Sequence, residues 1–261
     1  MSRIREPAVA DIFYPADAVE LRNMVDRFLA AAKPIAASPK AIIVPHAGYI
    51  YSGEIAATAY KALESVKNRV NRVVLLGPAH RVAITGLALS SADFFATPLG
   101  TVPVDKQAAS LLSNLSQVRI FDDAHTLEHS LEVQLPFLQQ VLGKFTLVPL
   151  VVGDTSAEQV AEVIERLWDG PETLFVISSD LSHYHDYGTA QKLDKATCRA
   201  IEALRPEAIG YHDACGRNPV NGLLIAARHH GLKVTTLDLR NSGDIAGPRD
   251  QVVGYGAWIF E

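Results

Sequence analysis

Ala41-Ile42-Ile43-Val44-Pro45-His46-Ala47-Gly48 is the stretch that decides the fold. Four apolar residues run without a break and stop at a proline, a histidine and a glycine. A strand with one wet face would alternate; an unbroken short run suits a strand covered on both faces, as in a parallel sheet. The same figure returns twice. Val73-Val74-Leu75-Leu76 leads into Gly77-Pro78-Ala79-His80, and Leu174-Phe175-Val176-Ile177 leads into Ser178-Ser179-Asp180-Leu181-Ser182-His183.

Segments of helical period separate these runs. Leu21, Met24, Val25, Phe28 and Leu29 follow Asp17, with Glu20 three residues on, a capping-box signal. Ser52 is read as the cap of a helix carrying Ile55, Ala59, Tyr60 and Leu63. A helix from Asp105 carries Leu111, Leu112 and Leu115. His125 to Leu142 reads as one helix, bent at Pro136. Thr146 to Val152 reads as a strand that Pro149 should make an edge or an interruption. Thr155 and Glu158 form a capping box before Val160, Val163 and Ile164. Helices are expected from Thr189 to Leu204 and after Asn218-Pro219, and strands at Leu87–Leu89, Val234–Leu239 and Gln251–Phe260. The alternation predicts an α/β fold, a single domain over 1–261, with a largely parallel sheet and helices on both faces.

Composition narrows the function classes. Of 261 residues 48% are apolar and 20% charged, the balance of a globular chain. A formal net charge of −5 argues against nucleic acid or an anionic membrane surface as partner. No apolar run approaches the ~18–20 residues of a membrane span, and no apolar segment follows the first charges as in a secretory signal. Cys198 and Cys215 are too few for a disulfide framework. The expected location is cytoplasmic.

Ligands of open α/β sheets bind beyond the carboxyl ends of the strands, and His46, His80 and His183 all follow strands there. Each alone is ordinary for a strand end; three at one edge suggest a site. Asp180 and His183, directly after a buried strand, suit general acid/base work. His125, Glu128, His129 and Glu132 form a polar stripe at helical spacing. It is either a solvated face with local ion pairs or a set that orients the strand-end imidazoles. Cys215 is either a reactive thiol near a helix start or a buried structural cysteine. His212, His229 and His230 are given no role.

Six motifs in order, Val44-Pro45-His46-Ala47-Gly48-Tyr49-Ile50-Tyr51-Ser52-Gly53, Leu76-Gly77-Pro78-Ala79-His80, Glu128-His129-Ser130-Leu131-Glu132, Ser179-Asp180-Leu181-Ser182-His183, Ala214-Cys215-Gly216 and Val253-Gly254-Tyr255, resemble the Memo family. The resemblance runs from about Arg5 to the end of the chain. That family is similar in fold to the catalytic subunit of class III extradiol dioxygenases, which are non-haem iron enzymes. The resemblance implies that His46 and His80 bind a metal and that His183 acts as acid and base. Eukaryotic members supply a cysteine as third ligand before the last strand. Here that segment is Asn241-Ser242-Gly243-Asp244-Ile245-Ala246-Gly247, so Asp244 is the expected third ligand, the alternative being an Asp that bonds locally within a turn. Two imidazoles and a carboxylate suit Fe(II), with copper or manganese as alternatives. Tyr49, His125, Glu128, His129 and Cys215 are expected around the ligands or the substrate. Two function classes stay open: a dioxygenase-like oxidoreductase acting on a small molecule, and a binding or adaptor protein that keeps the pocket. A two-metal hydrolase lacks its bridging carboxylates. The resemblance also implies a pathway shared with a radical-SAM protein and an AMMECR-domain protein.

Overall fold

The computed structural model describes residues 2–261 and is built on one large mixed sheet. In chain order the elements are β1 (Ile4–Arg5), α1 (Ala18–Ala31), β2 (Ala41–Val44), α2 (Tyr49–Ala62), β3 (Arg72–Pro78), β4 (Leu87–Leu89), β5 (Phe94–Thr97) and β6 (Gly100–Pro103). Then come α3 (Lys106–Ser110), β7 (Val118–Ile120), α4 (Asp123–Thr126), α5 (Leu135–Leu142), β8 (Thr146–Val152), α6 (Ala157–Arg166) and β9 (Thr173–Ser178). The chain continues through β10 (His183–His185), α7 (Tyr187–Glu202), α8 (Arg217–His229), β11 (Val234–Asn241) and β12 (Val252–Phe260). The large sheet follows the order β10-β12-β2-β9-β3-β8-β4-β7, with β11 on β12; β1, β5 and β6 form a small sheet of their own.

The four central strands β2, β9, β3 and β8 are parallel, as their unbroken apolar runs require. The flanks are not: β4 runs antiparallel to β8, and β12 antiparallel to β2, β10 and β11. The sheet is therefore mixed, with the expected parallel strands at its centre. Alternate residues of each central strand feed two cores. Ile42, Val44, Val73 and Leu75 pack with α1, α2 and α5 on one face. Ala41, Ile43, Val74 and Leu76 pack with α6, α7 and α8 on the other. Helices thus cover both faces, an architecture consistent with the extradiol-dioxygenase-like fold. No described helix is long and apolar enough to cross a membrane.

Several local expectations shift. Asp17 caps α1 by accepting from Val19 N and Glu20 N. Helix α2 starts earlier than Ser52, at Tyr49; the Ser52 hydroxyl instead donates to Ala47 O. The capping box of α6 is Ser156 with Gln159, one residue beyond the expected pair. Asp105 does cap α3, but that helix ends at Ser110. Helix α8 begins at Arg217 behind Gly216, so Asn218 is already in its first turn. Pro149 lies inside the sheet and not at an edge. The β4 ladder ends at Leu150 and the next contact on that side is Val104 with Leu147, so the missing N–H falls in a gap between them.

Candidate metal centre

Strands β2, β9 and β3 are adjacent and parallel, with Val44 beside Ser178 and Ile177 beside Leu76. Whatever follows them emerges at one edge. His46 follows β2, Asp180 and His183 follow β9, and His80 follows β3.

His46 is buried, and its tautomer can be derived. Its Nδ1 lies 2.8 Å from Ser178 Oγ. The single Ser178 hydroxyl proton goes to Ser130 O at 2.6 Å, since a carbonyl can only accept. Ser178 Oγ must therefore accept from His46 Nδ1, as it also does from Gln134 Nε2 at 2.8 Å. The Gln134 amide is oriented by Pro45 O, which takes a hydrogen bond from Nε2, and by the Tyr60 hydroxyl, which donates to Oε1. The proton of His46 sits on Nδ1, and Nε2 presents a lone pair.

His80 is fixed by Glu128. The Glu128 carboxylate accepts from His80 N at 2.6 Å and lies 3.0 Å from His80 Nδ1; it also accepts from His129 N and Ser130 N, both at 2.9 Å. Burial alone would raise the Glu128 pKa, but the hydrogen bonds from the His80 ring and from backbone N–H groups hold it at about 2. An ionised carboxylate only accepts, so Nδ1 of His80 donates to it and Nε2 is left for another partner. The segment reaches β3 because Gly77 has no side chain: a Cβ there would meet Ser130 Oγ at 2.8 Å and Leu131 Cδ2 at 2.9 Å.

Cys215 arrives from the turn before α8. Its Sγ lies 3.2 Å from His46 Nε2 and accepts from Asp180 N at 3.3 Å. Burial, and then the nearby Asp180 charge, push the thiol pKa up. The thiol keeps its proton, with His46 Nε2 at 3.2 Å and Asp180 O at 3.6 Å as its acceptors. Gly216 permits the approach, because a Cβ at that position would meet Ser179 Cβ at 2.6 Å and Ser178 O at 2.7 Å. One donor atom from each of His46, His80 and Cys215 lies within 4.8 Å of the others; His80, Glu128 and His129 form a second such set around the same imidazole. The rings of His46 and His80 are 5.1 Å apart, and that of His129 stacks on His80 at 4.6 Å. Nδ1 of His129 is buried without a hydrogen-bond partner, and burial lowers the pKa of this ring to about 4.

Asp180 Oδ1 accepts from His46 N at 2.7 Å, and Oδ2 stands 4.0 Å from His46 Nε2. Burial pushes its carboxyl up to about 6, against the hydrogen bond from His46 N. His183 donates from Nδ1 to Leu181 O at 2.7 Å, leaving Nε2 open. With His80 and Cys215 it lines a cavity of about 1070 Å³. Tyr184, next in the chain, has a φ of 60°, unusual for an aromatic residue, at an irregularity in the pairing of β10 with β12.

The other expected site residues lie elsewhere. Asp244 is exposed; it accepts from Asn241 N at 3.0 Å and from the Tyr187 hydroxyl at 2.5 Å. That is the local turn bond, and the third donor beside His46 and His80 is Cys215, not Asp244. His125 faces Ala88 O through Nε2 at 3.0 Å, away from the imidazole cluster. Tyr49 belongs to the core, its hydroxyl donating to Val133 O at 2.6 Å and its ring against Phe28 and Phe137. Glu128 and Glu132 do not share a helix face: the first serves His80, and the second accepts from Arg5, Tyr14, Ala8 N and Val9 N. The supporting trio Ser130, Gln134 and Ser178 was not anticipated as such. Its one signal was the placement of Ser178 directly at the end of an apolar strand.

Known proteins resemble the chain over nearly its whole length. A family model described as Memo-like protein matches residues 5–259. A MEMO1 family protein of Aquifex aeolicus is 38% identical, with 99% of each chain covered. One of Aeropyrum pernix is 38% identical over 98% of this chain and 99% of its own, and one of Thermoplasma volcanium 33% identical over 98% of both. Among solved structures, the uncharacterized protein JW3007 of Escherichia coli K12 shares the fold at a TM-score of 0.56 and 12% identity, covering 84% of this chain and 98% of its own. By sequence over nearly its whole length, the chain belongs to the Memo family.

Proposed function

We propose that His46, His80 and Cys215 hold a single metal ion and that the protein is a metal-dependent, dioxygenase-like oxidoreductase acting on a small molecule in the adjoining cavity. The observation that carries this reading is the convergence of three donor atoms within 4.8 Å, with both imidazoles already committed at Nδ1. Bonds of about 2.0–2.3 Å to nitrogen and sulfur set the ligands of one ion about 3–4 Å apart, so small side-chain movements close the set. Iron(II) supplies one-electron chemistry toward dioxygen. Copper(I) is the alternative that the softer thiol donor favours, and the thiol argues against manganese.

The chain's own residues do the rest. Ser178 and Glu128 hold the two rings in the tautomer that ligates. His183 offers an open Nε2 to a proton in the cavity, and Asp180, at about 6, exchanges one near neutral pH. The two free thiols fit a reducing compartment, the cytoplasm. The second reading is a binding protein that keeps the pocket without turnover. It is favoured by a thiol standing where a two-His, one-carboxylate enzyme has its carboxylate. Anaerobic titration with Fe(II) and Cu(I), followed by oxygen consumption against a panel of small catechols, tests both. Cys215→Ser is expected to weaken metal binding at least tenfold, and Asp244→Ala to leave it unchanged. The reverse pattern would overturn the assignment, and tight metal binding without oxygen uptake would select the binding protein.

A further inference from the structure

The cavity beside Cys215 holds a cation with no ion-pair partner among the described residues. Arg217 lines it from the first turn of α8 and is half-buried. Among the described residues, the arginines engaged in ion pairs are Arg5, Arg72 and Arg240. Arg217 has instead only the face of Tyr211, with its Cζ 5.2 Å from the ring centroid. A half-buried guanidinium held over an aromatic ring keeps its fork of N–H groups for something else. Asp154 and Asp213 also line the cavity, so an anion would be placed by Arg217 and not by the overall charge. Asp213 is committed to Gly210 N at 2.6 Å. Tyr184 and Tyr211, 71% and 74% exposed, line the same cavity and offer apolar faces.

Taking the cavity as the substrate site, we infer that Arg217 is its specificity-determining residue and selects a small anionic molecule, with the carboxylate or phosphate oxygens on the guanidinium and an apolar body toward the tyrosines. Arginine suits both oxyanions because its fork matches them in two-point contact, which lysine cannot reproduce.

Ligand-observed NMR titrations of the full protein with benzoate, phenyl phosphate and the neutral benzamide test this. At least one of the anions is expected to bind saturably at millimolar concentration or below, at least tenfold tighter than benzamide; which one wins identifies the oxyanion. Arg217→Met should weaken that anion tenfold or more and leave benzamide unaffected. Arg217→Lys, which keeps the charge, should lose several-fold and serves if the methionine variant does not fold. The inference is overturned if benzamide binds as well as the anions, if neither anion binds saturably, or if anion affinity is unchanged in the folded variants. Metal titration separates the two claims. Metal uptake that persists in Arg217→Met leaves the metal reading standing whatever the anions do, and anion binding by a parent protein that takes up no metal removes the metal reading alone.

Discussion

Ser178 has one hydroxyl proton and three partners. Because Ser130 O takes the proton, the oxygen is left to receive N–H groups from His46 and Gln134. The state of a candidate metal ligand is thus set by a residue that would touch no metal. Ser178→Ala should leave His46 without an acceptor at Nδ1 and let the ring change tautomer. Loss of such a support typically costs about 10–100-fold in metal affinity. Direct titration of parent and variant checks it, with an unchanged affinity showing that the ring is held by packing alone. At this scale the sequence was legible where chemistry followed strand ends, as for His46 and His80. It was not legible for the third donor. Asp244 and Cys215 are each preceded or followed by a glycine, and only the fold shows which loop rises against β9. The close contact of Gly216 with Ser178 and Ser179 makes that choice.

The expected helix over 125–142 fails for a reason internal to it. Glu128 accepts the N–H groups of His129 and Ser130, which a continuous helix would have given to carbonyls four residues back. The chain opens between α4 and α5, and Pro136 lands in the first turn of α5, where its missing N–H is harmless. Helical spacing alone could not show this, because the competing acceptor is ordered by His80, which follows β3. The long apolar strands, by contrast, were legible because burial on both faces leaves its mark in composition. Helix α7 carries a further buried carboxylate. Asp194 accepts from Ser182 N at 3.0 Å and sits under Gly254 of β12, where a Cβ would meet its Oδ2 at 2.1 Å. Burial pushes its pKa up to about 6. The folded state therefore holds this proton more tightly than the unfolded chain does, and stability falls as pH rises from about 4 to about 6. Asp194→Asn should remove that slope and be more stable than the parent above pH 6, by roughly 1–3 kcal/mol. Urea midpoints measured at pH 4.5 and 7.5 read the difference. A variant that is weaker at both would show that the ionised carboxylate is needed.

Across the whole molecule, Arg5 ties the small sheet to the site. Arg5, at the end of β1, donates to His125 O and Glu128 O and pairs with the buried Glu132, placing the N-terminal strand against the segment that holds His80. Arg5→Met would leave Glu132 buried without its cation and should cost about 3–5 kcal/mol. Arg5→Met with Glu132→Gln should recover part of that loss, and denaturant unfolding of both variants measures it. The place of β12 has another consequence. It follows every other strand of the sheet in sequence, yet it pairs with β2 and also carries β10 and β11. A chain emerging from the ribosome must keep the apolar edge of β2 open until its final strand arrives, and during that interval it presents a template for pairing with other chains. A protein cut before Val252 should therefore collect in the insoluble fraction rather than fold around a smaller sheet. Supplying the β12 segment as a separate peptide during refolding should restore some soluble material.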